Sequence, residues 1–324
     1  MKRVVLLLLL FLLSTQIQAQ SALYPFFDNK SGLWGFRTIE GEVQVEAEFR
    51  MARPFNEGLA FVEKCQERRG PCHYAFINRE GELILELPGH LMVYSANQFI
   101  SEGLVAVHDK QLGKFGFIDL SGQVVVPFDY DLAFNFSEGK AVVFVCPEDE
   151  DNDYREINEL SDACKKQVIN KSGQVVLNVS KTYFHAWGTN PHGTPIAYHE
   201  GLLRVMHFKT GKMGFIDSNG KLVIPCEYDY VDNFSEGLAF VTNLKNTYMD
   251  NPGGNIVGYI DAKNQLRIKL PAHLADLPNG CYFQGTSFES GKARMIITEN
   301  DGDCANWGYL EIDHKGEIIK ENWQ

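Results

Sequence analysis

Lys212 to Val241 reads KMGFIDSNGKLVIPCEYDYVDNFSEGLAFV, and the chain repeats it. Lys114 to Val143 is KFGFIDLSGQVVVPFDYDLAFNFSEGKAVV, and Leu33 to Val62 is LWGFRTIEGEVQVEAEFRMARPFNEGLAFV. Within the unit, Gly214-Phe215-Ile216-Asp217 is a short apolar strand closed by a turn-forming Asp. Ser218-Asn219-Gly220 reverses the chain, and Leu222-Val223-Ile224 returns as a β-branched strand ending at Pro225, which cannot donate to a ladder. Asp-x-x-Gly between two apolar runs predicts a hairpin whose Gly takes a positive φ. The interval from the first Gly-like position to the turn residue is six in every copy: 35→41, 75→81, 116→122, 167→173, 214→220 and 258→264. Position 264 is Asn, the residue after Gly best suited to a left-handed backbone.

Phe234-Ser235-Glu236-Gly237-Leu238-Ala239-Phe240-Val241 predicts a turn and a closing strand, with a third short strand before them. The interval from the first Gly to this second Gly is 23 in three copies (35→58, 116→139, 214→237). It stretches in the others (75→103, 167→201, 258→291), so insertions gather in one connection, as in repeat folds.

These residues carry a resemblance. Trp34-Gly35-Phe36, the Gly-Phe-Ile-Asp runs, Val-Ile-Pro and Phe-Ser-Glu-Gly-Leu-Ala resemble the WG-repeat (KWG-repeat) proteins of bacteria, over roughly residues 22–320. The resemblance implies an all-β repeat protein that binds, and it offers no catalytic residue to carry over.

Units fall near 33–62, 73–107, 114–143, 167–205, 212–241 and 257–295. Leu23-Tyr24-Pro25-Phe26 looks like the end of a unit, and Trp307 to Ile319 like the beginning of one. Complementary fragments at the two ends predict ring closure, with 22–27 completing the unit at 306–320. The expected fold is a seven-bladed β-propeller in one domain, 21–324; an open β-solenoid of stacked hairpins is the alternative.

Met1 to Gln20 reads as a signal peptide. Lys2 and Arg3 precede the apolar run Val4 to Leu13, and Ala19 offers a small residue for cleavage near Gln20. The run is too short for a spanning helix, and no membrane insertion is expected. Removing Lys2 and Arg3 takes the formal net charge from −12 to −14, which argues against nucleic acid and anionic membranes as partners. The expected product is exported, periplasmic or secreted, and monomeric.

Seven cysteines in an exported chain read first as disulfides. Cys65 and Cys146 each lie seven residues after a repeat Gly, and Cys72 and Cys164 three before the next unit's first Gly-like position. That register pairs Cys65 with Cys72 and Cys146 with Cys164. Cys304, three before Trp307, is paired with Cys281, leaving Cys226 as a buried thiol. Zinc is the competing reading, but no C-x-x-C spacing supports it.

Departures from the repeat pattern are where function is expected. The recurring Glu57, Glu102, Glu138, Glu200 and Glu236 suggest a carboxylate ring, but a residue that follows the repeat is better read as satisfying backbone donors at a turn. Gly35, Gly58, Gly116, Gly122, Gly139, Gly214, Gly220 and Gly237 are structural on the same ground, and Phe117, Phe215, Tyr259, Tyr309, Phe136, Phe234 and Phe288 are expected in the core. The Asn-Phe-Ser acceptor motifs at 135 and 233 are explained by the repeat. The insertion Asn178 to His199 holds Tyr183, His185, Trp187, His192 and Tyr198, a candidate recognition loop for a protein or a glycan; an ordinary loop packing its Trp on the rim is the plainer reading. The acidic run 147–162 is a solvated loop, with calcium as the alternative. No nucleophile elbow, phosphate loop, HExxH or dinucleotide fingerprint occurs. The expectation is a non-catalytic scaffold without metal or cofactor that binds protein. A glycan-binding module is the alternative, and a propeller-type glycoside hydrolase is weaker.

Overall fold

The computed structural model describes residues 22–65, 70–93, 100–147, 164–183, 196–243, 257–270, 281–299 and 308–323. These residues form 27 β-strands and no helix. The strands make seven antiparallel sheets, the first of three strands and the rest of four. By contacts the chain divides into two compact units. Met1–Gly89 with Leu120–Gly122 holds sheets 1 and 2, and His90–Asp119 with Gln123–Gln324 holds sheets 3 to 7.

A sheet is not a sequence unit. Sheet 2 runs Met51–Ala52, Ala60–Cys65, Cys72–Ile77, Leu83–Glu86, taking the last two strands of one copy and the first two of the next. Sheet 3 repeats this with Leu91–Met92, Leu104–Asp109, Lys114–Asp119 and Val124–Tyr130, and sheet 4 with Leu132–Ala133, Lys140–Val145, Lys165–Asn170 and Val175–Asn178. Sheet 5 does so with Tyr198–His199, Leu202–Met206, Met213–Asp217 and Leu222–Tyr228, and sheet 6 with Tyr230–Val231, Ala239–Thr242, Val257–Ile260 and Leu266–Lys269. Every Gly-Leu-Ala-type strand therefore pairs with the Gly-Phe-Ile-type strand that follows it in sequence.

The same rule corrects the expected closure. Leu23–Asp28 does not complete the unit at 306–320; it pairs in full register with Leu33–Thr38. The local turn decides this. Gly32 N–H donates to Asp28 O at 2.8 Å, and the Asp28 carboxylate accepts the N–H groups of Lys30 and Ser31. Gly308–Asp313 pairs instead with Lys292–Glu299 and Ile318–Trp323, which with Cys281–Gly285 make a four-stranded sheet 7. Among the described residues sheet 1 therefore has no short strand beside Leu23–Asp28. In sheet 2 the short strand is flanked by N–H bonds from Arg53 to Phe61 O and from Arg50 to Glu63 O. In sheet 1 the register puts Pro25 in the place of Phe61, so the residue with no N–H to offer lies on the open edge.

Two kinds of copy are visible. In the copies at 33, 114 and 212 the second strand has seven residues and a bulge, with register shifts on both sides of Phe36, Phe117 and Phe215. The bulged strand crosses close over the repeat Gly: a Cβ on Gly116 would lie 2.8 Å from Val126 O, and one on Gly35 2.6 Å from Val45 O. After the bulge a single residue, Arg50, Asp131 or Asp229, carries the chain into the next sheet. Two of these links are tied back by Lys114–Asp131 at 2.6 Å and Lys212–Asp229 at 2.8 Å. In the copies at 73, 167 and 257 the second strand ends early, at Glu86, Asn178 and Lys269, and the insertion follows. Ala75 and Gln167 sit in regular pairs, Ala75 with Glu86 and Gln167 with Asn178, so no bulge demands Gly there.

The core lies between successive sheets of a unit. Its recurring contact is an edge-on aromatic pair: Phe117–Phe136 at 4.7 Å, Phe215–Phe234 at 4.8 Å and Tyr259–Phe288 at 4.9 Å, all six rings buried. Asn135 and Asn233, of the acceptor motifs, are buried as well.

Candidate functional site

The Ser-Glu-Gly turns form a linked series in the second unit. Both central residues have positive φ, about 53° at Glu138 and 72° at Gly139, as in a two-residue hairpin turn of the primed kind. Glu102, Glu200, Glu236 and, in sheet 7, Ser290 are left-handed too. A non-Gly residue held there is strained and needs its surroundings to fix it. The carboxylates supply the link. Glu102 accepts Gly139 N–H, Glu138 accepts Gly201 N–H, Glu200 accepts Gly237 N–H, and Glu236 accepts Gly291 N–H, at 2.9 to 3.3 Å. Each carboxylate thus satisfies a backbone donor at the next sheet's turn. The serines run the same way: Ser101, Ser137 and Ser235 Oγ each donate at 2.6 Å to the carbonyls of Phe136, Tyr198 and Phe288.

One junction breaks the pattern. His199 stands where Ser101, Ser137 and Ser235 stand in their turns, and Arg204 stands where Phe61, Val142 and Phe240 stand in their strands. Asp232 takes the place of Phe134. Arg204 and Asp232 are buried at 3% and 5% exposure, with guanidinium and carboxylate 3.8 Å apart. Burial pulls the guanidinium down from its ordinary value, against the attraction of Tyr230 and Asp232. Asp232 also accepts Asn233 N–H at 2.8 Å and Ser287 Oγ at 3.3 Å. His199 is lowered by burial first, opposed by Glu138 and Asp232. The junction of sheets 5, 6 and 7 thus collects an imidazole, a guanidinium, a carboxylate and hydroxyls in an otherwise apolar core. Neither Arg204 nor Asp232 stands out in the sequence, because Arg294 and Arg53 hold the same repeat positions in other copies; burial is what distinguishes them.

The sequence-derived loop is assembled differently. Tyr198 is in the core at 1% exposure, under the Lys140 ammonium at 5.0 Å, so its ring is no surface platform. Burial first, then Asp217 and Glu138, push its hydroxyl up to about 12. Tyr183 is half-buried against His207, rings 6.2 Å apart. His185, Trp187 and His192 lie outside the described residues, as do Met1 to Gln20, Cys304 and nearly all of 147–162. Cys65–Cys72 and Cys146–Cys164 are disulfides, and Cys226 is a free thiol that burial pushes up to about 11. Among the described residues no group of three or more His, Cys, Asp or Glu could hold a metal ion.

Residues 34–64, 115–145 and 213–248 match a family described as WG containing repeat. These three segments are WG repeats. The three matched WG repeats are those with the seven-residue bulged strand. No curated protein matches the chain. Among solved structures it is similar to a prolyl endopeptidase, with TM-score 0.50 and 12% identity over 95% of this chain and 48% of that one. It is also similar to a eukaryotic initiation factor (TM-score 0.46, 12% identity, 95% and 89% covered). A third is the β-propeller domain of the Trilobed protease from Pyrococcus furiosus (0.45, 11%, 92% and 93%). At such identities the likeness concerns fold alone. The WG repeats build an all-β, propeller-like fold, and the chain spans about half of the prolyl endopeptidase.

Proposed function

We propose that this chain is a non-catalytic binding scaffold, exported to the bacterial envelope or beyond it, whose partner is a protein. The observation that carries the reading is the use made of the repeated carboxylates. Glu102, Glu138, Glu200 and Glu236 are each spent on a backbone N–H of the neighbouring turn, which serves rigidity and leaves recognition to residues that depart from the repeat. Two disulfides suit an oxidising compartment, and the leader-like Met1 to Gln20 suits export. His199, which ends the inserted segment in sequence, and the buried pair Arg204 and Asp232 are the residues we assign to positioning the recognition surface.

The test is expression with the native leader, N-terminal sequencing of the exported product, and its use against protein and glycan arrays and a panel of chromogenic glycosides. Cleavage near Ala19, saturable protein binding and no turnover are expected. Retention in the cytosol, glycan binding alone, or turnover abolished by a single carboxylate substitution would overturn the reading.

A further inference from the structure

Two disulfides occupy one position of the repeat, and the linking residue beside each is opposite in charge. Cys65–Cys72 closes the last pair of the ladder between Ala60–Cys65 and Cys72–Ile77, and Cys146–Cys164 holds the same repeat position in sheet 4. The residue that leads the chain into sheet 2 is Arg50, and into sheet 4 it is Asp131. Arg50 Nη1 donates to Cys72 Sγ at 3.5 Å, while its Nε lies 3.7 Å from the Glu63 carboxylate. Asp131 turns one carboxylate oxygen to the N–H of Cys146 at 2.7 Å, and Lys114 holds the other at 2.6 Å. The charge that touches the cystine is thus a cation at one site and an anion at the other. Burial separates them as well. Cys65 and Cys72 are both half-buried, whereas Cys164 is 1% exposed and belongs to the apolar core.

We propose that Cys65–Cys72 is a thiol-exchange site opened by a dithiol reductant, while Cys146–Cys164 is a permanent staple. In the first step a thiolate of the reductant bonds to Cys65 Sγ. The bond between the two cysteine sulfurs breaks, and its electron pair leaves on Cys72 Sγ, beside the Arg50 guanidinium. The second thiol of the reductant, its proton given to water, then bonds to the first and releases Cys65. The dithiol departs as a disulfide, the cystine becomes two thiols, and the protons shed by one are those taken up by the other. A cation beside the departing sulfur speeds exchange, because the more stable thiolate is the better leaving group. Attack in the opposite sense, on Cys72, would put the charge on Cys65 and forgo that contact. Opening disturbs little else: Cys65 and Cys72 are the end pair of the ladder, and the Phe61–Phe76 contact at 5.2 Å lies further inward.

The experiment treats the full chain with dithiothreitol at one fixed pH, alkylates samples at intervals and locates the labelled cysteines by peptide mapping. Cys65 and Cys72 should be labelled about tenfold sooner than Cys146 and Cys164, as befits an exposed disulfide against a buried one. Arg50→Gln should slow that opening roughly threefold, and Arg50→Lys should recover most of the rate, since the charge and not the shape is what matters. Glutathione, a single-thiol probe, should be trapped on Cys65 with Cys72 left as the free thiol. Opening of Cys146–Cys164 first or at the same rate, an Arg50→Gln rate equal to wild type, or an adduct on Cys72 would overturn the proposal.

Discussion

Glu138 and Gly201 are 63 residues apart, and the carboxylate of the first accepts the backbone N–H of the second at 2.9 Å. The bond joins sheet 4 to sheet 5 at their turns, and it repeats from sheet 3 to sheet 7. It also explains why a strained left-handed Glu is kept where Gly would fit. Glu138→Ala keeps the strain and orphans a donor, and should cost about 1–3 kcal/mol. Glu138→Gly loses the same bond but removes the strain, so it should cost less. Urea midpoints of the two variants check the order.

Acid should unfasten the relay from the Lys171 side. Burial pushes the Glu102 carboxyl up, but Lys171 and the N–H groups of Gly139 and Glu138 outweigh it and hold it below its usual value. A carboxylate lowered by folding stabilises above its unfolded pKa, and that contribution is lost as the pH falls through its folded one. The melting temperature of Glu102→Gln should therefore lie below wild type at neutral pH and converge with it in acid. A gap that stays constant with pH would show that the charge of Glu102 is irrelevant.

The buried Arg204–Asp232 pair makes a sharper prediction. Removing one partner leaves the other charge buried without its counter-ion, so Asp232→Ala should cost about 3–5 kcal/mol. Replacing both with the residues of sister copies, Arg204→Phe with Asp232→Phe, should recover most of that loss. If the junction serves recognition, the double variant should stay folded and lose its partner. Calorimetry and the protein array together read both effects.

Glycine at the hairpin turn is tested by Gly220→Val. Its φ is +77°, and a Cβ there would lie 2.8 Å from Leu177 Cδ1. Strain and overlap act together, and a loss of a few kcal/mol is expected in chemical denaturation.

Much of this was legible in the sequence because the repeat is spelled in backbone-determining residues. Asn264 in place of a turn Gly is left-handed at φ 61°, as its position in the interval required. Cys65 and Cys72 could be paired because they bracket one hairpin. The phase of the sheets was not legible: hydrophobic pattern marks where strands lie but not which neighbour each takes, so Leu23–Asp28 was assigned to the wrong partner. Tyr198 was misplaced for a related reason. It occupies the position of Phe136, but Ile196-Ala197-Tyr198 hides the motif behind a long insertion. The destination of the repeated carboxylates was invisible too, because the spacing from Glu to its acceptor Gly changes with each insertion.

The most direct test of the account is amide exchange at Gly139 and Gly201 in Glu138→Ala. The account predicts exchange about tenfold faster at Gly201, in the next sheet, the effect of losing one charge-assisted hydrogen bond, with Gly139 unchanged because Glu102 still caps it. Faster exchange at Gly139 with Gly201 unaffected would contradict it, since each Glu would then serve its own turn and the sheets would not be linked through these residues.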